Sequence, residues 1–215
     1  MAPISVLHAD DQLLVLDKPA GLLSVPGRGP DKADCLSARV QARYPDALVV
    51  HRLDMATSGL IVMARGNLMQ RRLSEAFSRR EVSKRYVAVV AGRLEQASLA
   101  DDWDSIDLPI AADWPNRPLR IVDRVRGQAS LTRWRVLGPD SGADTTRVQL
   151  EPVTGRTHQL RVHLKALGHP ILGDALYAPD RIATAASRLL LHASELRLIH
   201  PASGTQLDFS CPASF

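Results

Sequence analysis

Apolar positions in this chain fall into short runs rather than long stripes. Runs at 13–16, 59–64, 86–90, 131–137, 147–150, 189–191, 196–199 and 207–209 have the length of strands. Several alternate with period two, as in Thr132, Trp134, Val136 and again in Val148, Leu150, a spacing that predicts a large sheet covered on one face. Three segments carry helical spacing instead. One follows Asp34 through Leu36 and Val40; another follows Asn67, which would cap it, and puts Met69, Leu73, Ala76 and Phe77 on one face. The third covers 157–167, with Leu160, Leu164 and Leu167 as its apolar stripe and Gly168 at its end. The pattern is α+β. The stretch 94–126, polar and rich in turn formers such as Asp113-Trp114-Pro115-Asn116-Arg117-Pro118, is the least regular and predicts an extended loop or excursion. There is no repeat of fixed period and no low-complexity linker.

A chain of 215 residues can bury a substantial core without metals or disulfides, and one domain is the simpler reading. Hydrophobic residues at 45% and charged residues at 23% are ordinary for a soluble globular protein. Cys35 and Cys211 lie far apart with no Cys-x-x-Cys spacing, which argues against a disulfide framework or a zinc site and fits a reducing cytoplasm. The N-terminus has no basic stretch leading into a long apolar run, and the run at 13–16 is too short to cross a bilayer. The expectation is a cytoplasmic protein without a membrane anchor.

Lys and Arg total 27 against 23 Asp and Glu, an excess too small to identify a partner. Its distribution is more informative. Acidic residues gather at Asp101, Asp102, Asp104 and Asp107, whereas Arg65, Arg71, Arg72, Arg79, Arg80, Lys84 and Arg85 crowd one segment and Arg117, Arg120, Arg124 and Arg126 another. Local field steers an anion more than net charge does. The lysines are four (Lys18, Lys32, Lys84, Lys165), and the arginine fork suits phosphate oxygens and stacks on bases better than ammonium does. Genomic composition bias produces the same ratio, so charge alone leaves RNA contact open.

The segment 49–65 reads as an apolar strand, a polar turn and a second apolar strand. Asp54 projects from that turn, and Thr57 and Ser58 can bond local backbone to hold its shape. Taken alone, such an aspartate is a turn residue satisfying backbone donors. Seven histidines invite a metal reading, but His158 and His163, five apart on a helix, would face different ways, unlike helical zinc ligands. No metal is expected. Ser58 precedes Gly59 without a Gly-x-Ser-x-Gly elbow, and no phosphate-cradling glycine loop is present.

The string His51-Arg52-Leu53-Asp54-Met55-Ala56-Thr57-Ser58-Gly59 resembles the signature of the RluA-type pseudouridine synthases, in which the aspartate is catalytic. Lys84-Arg85-Tyr86-Val87-Ala88 resembles that family's tyrosine motif. Thr154-Gly155-Arg156-Thr157-His158-Gln159-Leu160-Arg161-Val162-His163 resembles its arginine motif, and Leu189-Leu190-Leu191-His192-Ala193 its late apolar motif. All occur in family order, with Gly168-His169-Pro170-Ile171-Leu172-Gly173-Asp174 matching a further loop, so the likeness spans 13–212. It implies one α+β catalytic domain over 1–215, a mixed, mostly antiparallel sheet flanked by helices and loops, and no separate N-terminal RNA-binding module. Met55-Ala56, 23–28 and 113–118 liken the chain to the compact members. Those imply two RNA partners, a loop of 23S ribosomal RNA and the anticodon stem-loop of transfer RNA.

Conversion of uridine to pseudouridine breaks the N1–C1′ bond, rotates the base and joins C5 to the same sugar carbon. It needs no redox step or energy input, and no cofactor is expected. A carboxylate can attack C1′ or assist loss of the 2′ hydrogen, and the sequence leaves both routes open. Either role needs the anion. A dry pocket disfavours charge, so a cation must sit nearby, and Arg156 is the candidate. The resemblance puts Tyr86 against the uracil ring, where stacking returns about 1–3 kcal/mol of the few spent on extruding the base. Leu191 is then the apolar wall opposite the ring. Arg52 can fill the space the uridine leaves or bind its phosphate, and His51 and Thr57 complete the substrate-binding set. Two alternatives predict something else: a non-catalytic RNA-binding module predicts loss of Asp54, Tyr86 or Arg156, all of which are present, and a nucleoside glycosidase predicts a second cooperating carboxylate, whereas the Asp54 segment supplies one. A monomer is expected by default.

Overall fold

The computed structural model describes residues 4–29, 32–95, 103–139 and 144–215. The chain runs through β1 (Ser5–Ala9), β2 (Leu13–Lys18), α1 (Leu36–Gln41), β3 (Ala47–Val49), β4 (Ser58–Arg65), α2 (Gly66–Ser78) and β5 (Ser83–Ala91). It continues through β6 (Asp104–Asp107), β7 (Ile110–Ala112), β8 (Arg120–Val122), β9 (Leu131–Pro139), β10 (Thr145–Pro152), α3 (Gln159–Ala166), α4 (Asp180–Ala183), β11 (Leu191–Ile199) and β12 (Gln206–Ser210). The class is α+β, as expected. Contacts gather into two compact units, Met1–Lys84 with His192–Ser214, and Arg85–Leu191 with Phe215. No helix among the described residues is long and apolar enough to cross a membrane.

In the first unit β2 pairs antiparallel with β1 and with β4, β3 pairs antiparallel with β4, and β11 lies parallel to β4 and antiparallel to β12. Leu13, Leu14, Val15 and Leu16 are all fully buried, and so are Val62, Met63 and Ala64. Strands covered on both faces read as continuous apolar runs, which corrects the expectation of a sheet covered on one face throughout. Met69 and Leu73 of α2 are buried, as its spacing predicts. Its cap is different. Gly66 at φ +75 turns the chain straight out of β4, its N–H bonded to the Asp46 carbonyl (2.9 Å), so the helix starts before Asn67 and Arg65 holds the cap position. At α1 the Cys35 thiol accepts the Ala38 N–H (3.4 Å), while Asp34 pairs with Arg39 (2.6 Å).

The parallel step between β4 and β11 is short, matching His192 to Ser58 and Ala193 to Gly59. Gly59 sits at φ +106, and a Cβ there would collide with the carbonyl oxygen and nitrogen of Ala193. Strand approach, not turn flexibility, demands this glycine. Gly59→Ala is expected to cost at least ~2 kcal/mol through strain and clash. Urea unfolding with an unchanged midpoint would refute that.

In the second unit β10 pairs antiparallel with β5 and β9, and β6 with β9. Along β9, Thr132 and Trp134 are buried and their neighbours are not, as predicted, whereas Val136, the third position of that series, is only half-buried. The described part of the stretch 94–126 is more regular than its composition suggests: β6 joins the sheet, and β7 and β8 form a hairpin. Ile110, Leu119 and Val122 of that excursion pack with Val162 and Tyr177, so buried side chains anchor it to α3. Helix α3 starts two residues later than 157, because His158 adopts a left-handed backbone (φ 57); it ends at Ala166, with Leu167 as its cap and Gly168 following at φ +87. The run at 196–199 and Leu191, the last residue of the run at 189–191, belong to one strand, β11.

Candidate active site

Strands β3 and β4 hold the two ends of the segment 50–57, with Val49 opposite Met63 and Ala47 opposite Arg65. Within it, the Thr57 N–H bonds the Asp54 carbonyl (3.1 Å), closing a turn around Asp54. Both neighbours of Asp54 are gripped. Ser24 Oγ accepts the Leu53 N–H (3.1 Å) and donates to the Leu53 carbonyl (2.7 Å). The Met55 carbonyl accepts the Gly21 N–H (2.8 Å) and the ammonium of Lys18 (3.2 Å). Lys18 is fully buried, and its Nζ also donates to the carbonyls of Pro19 (2.9 Å) and Leu22 (2.8 Å). Three carbonyl dipoles solvate that charge in place of water and tie the 18–24 loop to the turn. The result is a partly exposed carboxylate on a backbone held at both flanks. Sequence reasoning missed Lys18 and Ser24 as braces, because neither follows an apolar period and the turn atoms they hold, the Met55 carbonyl and the Leu53 backbone, lie 37 and 29 residues away.

Thr57 and Ser58 are buried. The Ser58 hydroxyl bonds His192 Nδ1 (2.8 Å), and His192 Nε2 donates to the Cys211 carbonyl (2.9 Å). Asp17, His192 and Cys211 bring potential metal-ligand atoms within 4.8 Å of one another. Their donors are already engaged. Both His192 nitrogens are hydrogen-bonded, and burial, reinforced by Asp17, pushes the Cys211 thiol up to about 11, so it stays protonated and bonded to that carboxylate. The trio is a hydrogen-bonded strut between β2, β11 and the chain end.

Arg52, beside Asp54, is exposed. The contacts of His51 are internal to its unit: Nε2 accepts the Val62 N–H (3.0 Å), and the ring stacks on Phe77 at 4.3 Å. Burial first, and Lys84 second, depress its pKa to about 3. An unfolded histidine takes up a proton below about 6.5, while this one stays neutral in the native state. Stability is therefore complete above that pH and falls with acid towards 3, by about 1.4 kcal/mol per pH unit. Burial lowers His163 as well and adds to the trend in the same direction. In His51→Asn the drop in unfolding free energy between pH 7 and pH 5 is expected to shrink by about 2 kcal/mol. Parallel pH profiles for the two proteins would contradict it.

The other site candidates, Tyr86, Arg156 and Leu191, belong to the second unit. Tyr86 lies on β5 opposite Leu150 and is 9% exposed; Leu191 opens β11 and is buried. Arg156 is exposed, with its position set through the backbone. Gln159 accepts its N–H (3.0 Å) and the Thr154 hydroxyl (2.7 Å) at Oε1, and its Nε2 donates to the Leu131 carbonyl and Thr132 Oγ1, both at 3.0 Å. One buried amide thus ties Arg156 to β9. Arg161 makes a buried, bidentate pair with Asp174 (2.9 and 2.6 Å), joining α3 to the loop 168–174. His158 and His163 do diverge: His158 Nδ1 meets the Tyr177 hydroxyl (2.6 Å), while His163 bonds Thr132 and Leu108, each at 2.9 Å.

Part of the arginine crowding is neutralised locally. Arg65 pairs with Asp46, Arg79 with Glu75, Arg85 with Glu151 and Arg126 with Asp123. Asp101 and Asp102 of the acidic stretch lie outside the described residues. The connection between β7 and β8, which contains a cis Arg117–Pro118 bond, displays Trp114 at 69% exposure with the Arg117 guanidinium 3.7 Å from its ring.

A family model for RNA pseudouridylate synthase matches residues 12–166. The chain belongs to that family. Among curated proteins, the dual-specificity RNA pseudouridine synthase RluA of Yersinia pestis is 49% identical over 210 residues, covering 98% of this chain and 99% of its own. The protein of that name from Escherichia coli K12 is 48% identical over 211 residues, covering 98% and 93%. Among solved structures, human RNA pseudouridylate synthase domain containing 1 superposes with a TM-score of 0.79 at 28% identity, over 99% of this chain and 86% of that one. As a pseudouridine synthase the chain is an isomerase acting on uridine in RNA.

Proposed function

We propose that this pseudouridine synthase modifies two RNA stem-loops, one in 23S ribosomal RNA and one in the anticodon arm of transfer RNA, with Asp54 acting at the ribose C1′. The observation that carries this reading is identity near one half, across almost the whole length, to enzymes named for dual specificity. Asp54 attacks C1′ or assists loss of the 2′ hydrogen while N1–C1′ breaks; the base turns, C5 bonds C1′, and the C5 proton leaves as N1 gains one. Tyr86 stacks on the flipped uracil, Leu191 walls its other face, and Arg156 keeps the carboxylate ionised. Arg52 fills the gap left in the stem-loop or binds the phosphate there, with His51 and Thr57 shaping the turn around Asp54. The backbone grips of Ser24, Gly21 and Lys18 support this role, since a catalytic group gains most when its geometry is fixed before substrate arrives. The exposed Trp114–Arg117 stack adds a surface suited to an unpaired base. The protein acts as a cytoplasmic monomer, its whole chain one catalytic domain needing no cofactor.

Incubating the purified chain with unmodified 23S and transfer RNA, followed by chemical mapping, is expected to reveal new pseudouridine in a loop of each. Modification of one RNA class alone would refute dual specificity.

A further inference from the structure

In the second unit a depression of about 180 Å³ opens between the β7–β8 hairpin and the start of the arginine motif, lined by Ala111, Arg120, Gln128, Gly155, Arg156 and Thr157 among others. Among the described residues that line it none is acidic, and two are arginines. The Nε of Arg120 is buried and has no hydrogen-bond partner among the described residues. Burying a guanidinium N–H without an acceptor is unfavourable, and such groups are rare unless something meets them. Both arginines sit on fixed backbone. The Arg120 N–H donates to the Tyr177 hydroxyl (2.9 Å), which bonds His158 Nδ1 (2.6 Å), so β8 is pinned to the residue before α3. The Arg156 N–H is held by Gln159, and its Nε reaches towards the Ala129 carbonyl (3.4 Å).

We propose that this depression seats one backbone phosphate of the substrate RNA, with Arg120 as its second anchor beside Arg156. The inference rests on the reading that the protein acts on RNA. The space is well below the roughly 300 Å³ at which pockets for whole small molecules begin, yet it admits a tetrahedral anion. A phosphodiester presents two non-bridging oxygens, which match guanidinium forks and give the orphaned Nε an acceptor. A contact of this kind sets register on the RNA rather than reading sequence. It explains why the excursion carrying Arg120 is anchored to α3 by buried side chains instead of hanging free.

The test compares wild type with Arg120→Gln and Arg120→Lys on a transfer-RNA anticodon stem-loop. For Arg120→Gln the dissociation constant and KM are expected to rise about tenfold, with the loss falling on KM and not kcat, and the slope of log affinity against log salt to shrink by roughly 0.7–0.9. Arg120→Lys should keep the salt slope and recover part of the affinity. Replacing RNA linkages singly with neutral methylphosphonates should identify one linkage whose neutralisation weakens wild type but not Arg120→Gln. The melting temperature of Arg120→Gln should stay level or rise, since an unmet buried donor has been removed. Unchanged affinity and salt slope would overturn the site, as would lost binding accompanied by a lower melting temperature. Pseudouridine formed by wild type alongside an indifferent Arg120→Gln would sink the phosphate seat alone; an inert wild type that still shows the linkage-specific effect would sink the enzymatic reading alone.

Discussion

Asp54→Asn is expected to lower pseudouridine formation by on the order of 10⁴-fold or more, the scale seen when a group acting on the reacting atoms is removed. RNA affinity and thermal unfolding should stay close to wild type. The second expectation follows from how the turn is held. Ser24, Gly21 and Lys18 bond the backbone of Leu53 and Met55, and Thr57 bonds the backbone carbonyl of Asp54. Asparagine has nearly the same shape and leaves those bonds in place. What it cannot supply is the negative charge. Single-turnover assays on a stem-loop, read by mass spectrometry of the digested RNA, would measure the effect. Turnover within tenfold of wild type would remove Asp54 from the chemistry.

The largest stability effect is expected at Asp174. Its carboxylate takes both prongs of Arg161 and also accepts the N–H groups of Leu176 and Tyr177 (3.0 and 3.2 Å), with both charged side chains almost completely buried. Asp174→Ala would leave a buried guanidinium unmatched, at a cost of about 3–5 kcal/mol, because the desolvation penalty stays when the attraction is gone. For a chain of this length that is a fall of roughly 6–20 °C in melting temperature. Replacing both partners with apolar residues should cost much less than either single change, since no charge is then stranded. A double variant as unstable as the sum of the singles would contradict this account. The damage should also reach RNA binding, because the Tyr177 backbone rests on Asp174 while its hydroxyl holds Arg120 and His158.

The sequence exposed the parts of the fold that depend on repetition. β9 was legible because Thr132 and Trp134 alternate with partly exposed neighbours, and α2 because Met69 and Leu73 share a helical face. Short strands were not. β7 and β8 have three residues each, too few for any period to register, and β1 alternates between exposed and half-buried positions with no apolar run. Boundaries set by one backbone angle were also hidden: Gly66 starts α2 before Asn67, and a left-handed His158 delays α3. In the candidate site, the charged and aromatic members stood out through their motifs. The supporting members, Lys18, Ser24, Gln159 and Tyr177, each bond a residue distant in the sequence, at Met55, Leu53, Leu131 and Arg120 respectively, which no local pattern encodes. His51 stood out as a possible substrate contact, and the contacts it makes are with Val62 and Phe77.

The most direct measurement uses a stem-loop whose uridines carry tritium at C5. Forming the C5–C1′ bond must release the C5 hydrogen to water, whichever route the carboxylate takes. With enzyme in excess, wild type is expected to release tritium from each target uridine to completion without any added cofactor, and Asp54→Asn to release none above background. Equal release by the two proteins, or none by wild type on either class of RNA, would contradict the assignment of this chemistry to Asp54.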